Sequence, residues 1–212
     1  MSKPLSLAIA IAATCAACAS PERSRNLNDP SIPASATAQQ VCSNCHGIDG
    51  NSDSPNFPRL AGQQPAYIVE QLKAFRAQNR LDPAGFTYMY GLSRHLTDGQ
   101  IESLAAYFAA QEPTQNPVHA DAAVIAKGKE LFENGRPQRN VPPCAACHGA
   151  AAHGNATFPR LAGQHAHYLA KQLDVFQSTN ARPTAAPTMK PIAHELDQGE
   201  IDAVSLYLQG VN

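Results

Sequence analysis

"PPCAACHGA", residues 142–150, holds two cysteines two residues apart and a histidine directly after the second. The pattern occurs once before, as Cys42-Ser43-Asn44-Cys45-His46. Three chemistries use such a pair. A structural zinc site gathers four ligands, usually from two knuckles close together; here the pairs lie 102 residues apart, each with only scattered histidines around it. A thioredoxin-like redox pair sits between a strand and a helix, and no alternating strand pattern precedes either motif. A histidine directly after Cys-x-x-Cys is the signature of covalent c-type haem attachment. The two thiols add to the two vinyl groups on one edge of the macrocycle, and the next residue then reaches the iron from the same side. On this reading Cys42, Cys45, Cys144 and Cys147 attach two haem c groups, and His46 and His148 are iron ligands.

Working outward from the motifs, the chain is a repeat. "FPRLAGQ" stands at 57–63 and again, identically, at 158–164. Internal self-similarity of this kind marks repeated structural units. Each copy follows FPRLAGQ with apolar residues at helical spacing: Ile68, Leu72 and Phe75 in the first, Leu169, Leu173 and Phe176 in the second. Each ends on a helix opened by a capping box, Thr97 to Gln100 and Asp197 to Glu200. The faces that follow are Ile101, Leu104, Ala105 and Phe108, then Ile201, Val204, Ser205 and Leu208. A helix is also predicted before the second motif, about Ala122 to Phe132, and a shorter one before the first, about Ala34 to Val41. The first of these carries Lys127-Gly128-Lys129 and copy one has no such glycine; copy two also carries an insertion, "RPQRNVPP", read as a loop. No convincing strand appears, so the class is all-α, two tandem domains each wrapped around one covalent haem.

The rest of the chain sets the boundaries. Lys3, the apolar run from Leu5 to Ala13 and Ala17-Cys18-Ala19 read as an export signal over residues 1–19. A lipoprotein signal, with Cys18 lipidated, stands beside that reading. Residues 20–33 are polar and rich in Pro and Ser, a flexible tail. The domains are 34–112 and 121–212, joined by the Pro-containing linker 113–120. A net charge of −1 offers no basic surface for nucleic acid, so no nucleic-acid partner is expected. Membrane association is left to peripheral contact or to a lipid on Cys18.

Only two methionines follow Met1, and both lie seven residues before the leucine that precedes the last helix: Met89 before Leu96 and Met189 before Leu196. A core methionine has no reason to recur in register. Met89 and Met189 are therefore the expected second iron ligands, and His/Met ligation raises the reduction potential and closes the iron. His95, His119, His153, His165, His167 and His194 have no such register and are read as surface or loop residues.

Taken together, CSNCHG and CAACHG, both FPRLAGQ segments, both Met–Leu spacings and "LAAYF" at 104–108 resemble the dihaem cytochrome c4 family, built from two class I cytochrome c domains. The resemblance covers the chain from about residue 35 to its end. It implies periplasmic electron transfer, with two haems facing each other across a domain interface. It also implies that the carbonyls of Pro58 and Pro159 accept from the histidine rings, that Leu60 and Leu161 pack on the haems, and that Arg59 and Arg160 pair with haem propionates. Partners would be a quinol-oxidising complex, a terminal oxidase or reductase, or another cytochrome. Two alternatives stand: the electron-accepting subunit of a periplasmic dehydrogenase, of the flavocytochrome c sulfide dehydrogenase type, and a dihaem peroxidase, which needs an accessible iron.

Overall fold

A computed structural model describes residues 25–212 except Ala84, Thr179, Pro183 and Thr184. The expected signal, residues 1–19, and Cys18 lie outside the described residues. Among these there is no strand, only two isolated bridges, Arg136 with Val141 and Asn155 with Phe158, and no helix is long and apolar enough to cross a membrane.

In the first repeat Ala34–Thr37, Ala38–Cys42 and Ser43–His46 run on as one helical stretch, wound more widely over Ala38–Cys42. Pro65–Arg76 and Asp98–Ala109 follow, with the short Gly85–Met89 and Tyr90–Ser93 turns between them. Pro65 occupies the first helical position, where its missing N–H costs nothing. The second repeat runs through Ala122–Asn134, Ala145–His148, Ala166–Ser178, Ala186–His194 and Gln198–Gln209. Both capping boxes form: Thr97 Oγ1 accepts from Gln100 N–H, and Asp197 Oδ1 from Glu200 N–H.

The predicted helix faces are the two cores. Ile68, Leu96, Ile101, Leu104 and Phe108 bury together in repeat one, and Leu131, Phe132, Leu196, Ile201 and Leu208 in repeat two. Copy one, which has no glycine in its first helix, brings the buried Thr37 and Ala38 to this packing instead. In copy two Gly128 lies so close to the last helix that a Cβ there would stand 2.0 Å from the Ala203 carbonyl oxygen.

Residues 25–33 of the tail and the linker are more tightly held than their composition implied. Leu27 packs on the first core, and Gln100 Nε2 donates to the Leu27 and Asp29 carbonyls at 3.3 Å each. Residues 26–31 turn on their own side chains, Asn26 and Asp29 accepting from the Asn28 and Ser31 N–H groups. In the linker, Thr114 N–H donates to Asn51 and Asn116 Nδ2 to the Gly163 carbonyl.

The insertion before the second motif is a loop pinned by charge. Arg136 Nε donates to Glu200 Oε1 at 3.0 Å, and Arg139 donates to the same oxygen. Burial pushes the Glu200 carboxyl up, but the hydrogen bonds from Arg139, the Asp197 N–H and Arg136 outweigh it, leaving it below its ordinary value of 4.5. A carboxylate with a lowered folded pKa stabilises fully above its unfolded value and loses that contribution as pH falls through the folded one. Glu200→Gln should therefore cost about 1–2 kcal/mol near neutral pH, less than a fully buried pair because Arg139 is part exposed. It should also flatten the stability profile below pH 4.5, read by thermal melts across pH; an unchanged acid limb would remove Glu200 from the account.

Candidate functional site

One cavity of about 450 Å³ runs through both repeats. Its wall includes the Cys-x-x-Cys-His residues of each copy, both internal methionines and the arginines of both FPRLAGQ segments. Leu60, Leu161, Pro58 and Pro159 also line it.

The two histidines are held alike. His46 Nδ1 lies 2.8 Å from the Pro58 carbonyl oxygen and His148 Nδ1 3.0 Å from that of Pro159. A carbonyl can only accept, so Nδ1 carries the proton. Burial lowers the pKa of both rings, with the carbonyl contact opposing it. Each imidazole is thus neutral, fixed in orientation and left with a bare Nε2 lone pair, the state a metal ligand needs.

The thiols show no sign of the competing chemistries. Cys42, Cys45, Cys144 and Cys147 are unpaired. Burial pushes Cys42 and Cys144 up to about 11, against the lowered pKa of a reactive redox thiol. Among the described residues no three His, Cys, Asp or Glu side chains gather where they could hold a metal.

FPRLAGQ proves to be the clasp between the repeats. Gln164 Nε2 donates to the Arg59 carbonyl at 2.9 Å and its Oε1 accepts from the Arg59 N–H at 2.8 Å. Gln63 does the same to Arg160, at 3.0 and 2.6 Å. Each glutamine thus satisfies both backbone groups of the other copy's arginine, which accounts for a glutamine at the end of both segments. Gly62 at φ 63° and Gly163 at φ 70° donate to the Phe108 and Leu208 carbonyls; this left-handed backbone favours glycine.

The arginines divide. Arg59 gives its guanidinium to the Gly163 carbonyl, to Asn51 Oδ1 and to Thr114 Oγ1. Its guanidinium thus joins the two repeats and the linker, while the residue also lines the cavity. Arg160 keeps a buried Nε without a protein partner. His165 lies in a loop, as expected, but is buried, with Nε2 2.8 Å from the Ser52 carbonyl of the other repeat. The other five unassigned histidines are exposed.

Sequence reasoning missed a second polar layer. Arg80 Nη1 donates to Gln71 at 2.8 Å, and Arg182 Nη1 to Gln172 at 2.8 Å. Each arginine also crosses to the other repeat, Arg80 to Gln172 and Arg182 to Gln71. All four line the cavity. The available signal was Gln71 and Gln172, 101 residues apart on otherwise apolar helix faces; Arg80 and Arg182 are 102 apart and break the register.

The cytochrome c family profile matches residues 33–111 and 125–212. Cytochrome c4 of Stutzerimonas stutzeri is 40% identical over 181 residues, 81% of this chain and 85% of that one. The chain belongs to the cytochrome c4 family. Reduced recombinant cytochrome c4 from Pseudomonas stutzeri superposes with a TM-score of 0.75 at 38% identity, covering 84% of this chain and 97% of that one. The thiosulfate dehydrogenase electron acceptor of Stutzerimonas stutzeri (strain A1501) is 34% identical over 177 residues, 82% of this chain and 80% of that one.

As a cytochrome c4 family member the chain is a dihaem electron carrier, with haem c attached covalently at Cys42/Cys45 and Cys144/Cys147. The residues present fit the group. Each half of the cavity has a thiol pair, a neutral imidazole with a free Nε2 and a thioether sulfur on its wall. The unpartnered Arg160 Nε suits a carboxylate at the rim.

Proposed function

We propose that this cytochrome c4 family member is exported to the periplasm and moves single electrons between respiratory redox proteins. In this reading His46 and Met89 hold one iron, and His148 and Met189 the other. When bound, each haem supplies a one-electron iron couple. The chain's own residues do the rest. The Pro58 and Pro159 carbonyls orient the two rings, Leu60 and Leu161 contribute apolar wall, and each methionine closes the last coordination position. Arg160, whose buried Nε has no protein partner, would receive a haem carboxylate. The observation that carries the reading is that each repeat sets a proton-fixed histidine and an in-register methionine on the wall of the same cavity.

A closed iron does outer-sphere transfer, and partners dock briefly through a small patch. Donors and acceptors of the expected kinds are a quinol-oxidising complex on one side and a terminal oxidase, reductase or further cytochrome on the other. One test uses carbon monoxide and a redox titration. The reduced chain should bind no carbon monoxide. Met89→Ala and Met189→Ala should each open one site and lower one midpoint potential. Carbon monoxide binding by the unaltered chain, or potentials indifferent to both substitutions, would reject the ligand set and revive an enzymatic reading.

A second reading is favoured by the 34% identical thiosulfate dehydrogenase electron acceptor: the chain serves as the dedicated electron-accepting subunit of a periplasmic dehydrogenase. Gentle solubilisation separates the two, since a carrier migrates alone and a subunit with its enzyme.

A further inference from the structure

The polar layer between the repeats is symmetric in every member but one. Gln71 answers Gln172, Tyr67 answers Tyr168, and Arg80 answers Arg182. Even the rings beneath the guanidinium groups match, Phe75 under Arg80 at 4.5 Å and Phe176 under Arg182 at 4.9 Å. The exception is Asp82. It is 1% exposed and accepts from Arg80 Nε at 2.7 Å. Two residues after Arg182 the sequence has Thr184, which lies outside the described residues. Among those described, Arg182 meets no carboxylate and donates only to Gln172, Tyr67 and Gln71.

Asp82 also touches the segment that carries Met89. Its backbone carbonyl accepts from the Phe86 N–H at 2.9 Å. Its Oδ1 lies where a Cβ on Gly85 would come within 3.0 Å of it, and Gly85 opens the Gly85–Met89 turn. The carboxylate is therefore buried in the cavity wall, on the segment of the first repeat that leads to Met89. A fixed negative charge in a low-dielectric site favours the more positive, oxidised form of a nearby redox centre. The second repeat holds the same arginine without that charge.

We propose that Asp82 sets the two haem sites apart, lowering the reduction potential of the first repeat relative to the second and biasing a shared electron toward the second. Asp82 acts through the field it adds, with no role as an iron ligand. The inference rests on the reading of both repeats as His/Met haem sites, and the experiment keeps the two apart.

The test is a spectroscopic redox titration of the full haem-loaded chain and of Asp82→Asn, with haem content measured first. The unaltered chain should show two unequal potentials. Asp82→Asn should raise the lower one and narrow the gap, changing the equilibrium constant for electron exchange between the repeats about tenfold, equivalent to about 59 mV for a one-electron couple. Asp82→Glu, which keeps the charge, should restore most of the gap. Met89→Ala, made in the unaltered chain, should move the lower potential, and this holds whether or not the Asp82 variants fold. Equal shifts of both potentials, an unchanged gap, or a Met89→Ala effect on the higher potential would overturn the proposal. A methionine variant that leaves both potentials in place would instead overturn the ligand reading beneath it.

Discussion

Cys42→Ala combined with Cys45→Ala should leave the first repeat unfolded while the second stays native. Far-UV dichroism should lose about half its helical signal. The first domain has 79 residues by the bounds 34–112, a size at which folding buries only about 60–65% of the chain's surface. Its closed core is small: Ala38, Ile68, Leu96, Ile101, Leu104, Ala105 and Phe108. The facing surfaces of Leu60, Leu72, Phe75, Leu92 and Met89 look into the cavity. With a covalent haem those surfaces are interior; without one they are apolar walls around water. Small domains have a net stability of only about 5 kcal/mol to lose, and the unmade contacts exceed it. The second repeat keeps its own cluster around Leu131, Phe132, Ile201 and Leu208. A native-like far-UV spectrum for the double variant would show that the polypeptide core suffices alone.

Gly128→Ala should lower the melting temperature of the second repeat by about 10 °C, and Gly128→Leu should prevent that repeat from folding. Two effects oppose each other. Alanine in a helix interior is favoured over glycine by about 1 kcal/mol. Against that, a Cβ at Gly128 would lie 2.0 Å from the Ala203 carbonyl oxygen, 2.5 Å from its carbon and 2.9 Å from Tyr207 Cβ. Two of those three are backbone atoms of the last helix and cannot rotate away. Overpacking of this kind costs about 3 kcal/mol or more, so the clash wins by about 2 kcal/mol, which a domain of this size shows as about 10 °C. Gly99 is a control: it lies in the Asp98–Ala109 helix with nothing within 4 Å, and Gly99→Ala should cost nothing. Calorimetry of the haem-loaded protein decides. A Gly128→Ala chain at least as stable as the parent would mean that the two helices part more easily than their contact implies.

The haem motifs, the helices and the repeat were legible in the chain because each depends on residues near one another in sequence. Cys-x-x-Cys-His works through one turn of backbone. A capping box spans four residues, and Thr97 with Gln100 or Asp197 with Glu200 announces a helix wherever it is placed. The apolar faces of Ile101 to Phe108 and Ile201 to Leu208 follow from a 3.6-residue period alone. Even the methionine register is a count along one line.

The tertiary structure decided what the polar side chains of the two copies do, because each takes a partner from the other copy, 88 to 115 residues away. Gln63 and Gln164 are ordinary residues at the end of a repeated heptapeptide until the copies face each other; then each closes on the other's Arg59 or Arg160 backbone. Arg59 carries the same local sequence as Arg160, yet its guanidinium is taken by Asn51, Thr114 and Gly163, because the linker lies across the first copy. His165 has no counterpart in copy one and is buried between the Ser52 carbonyl of the other repeat and Asn116 of the linker. Nothing in the local sequence marks Arg80 and Arg182, and buried guanidinium groups are tolerated only where fixed acceptors meet them. The acceptors come from both repeats at once, an arrangement that no local pattern of residues encodes.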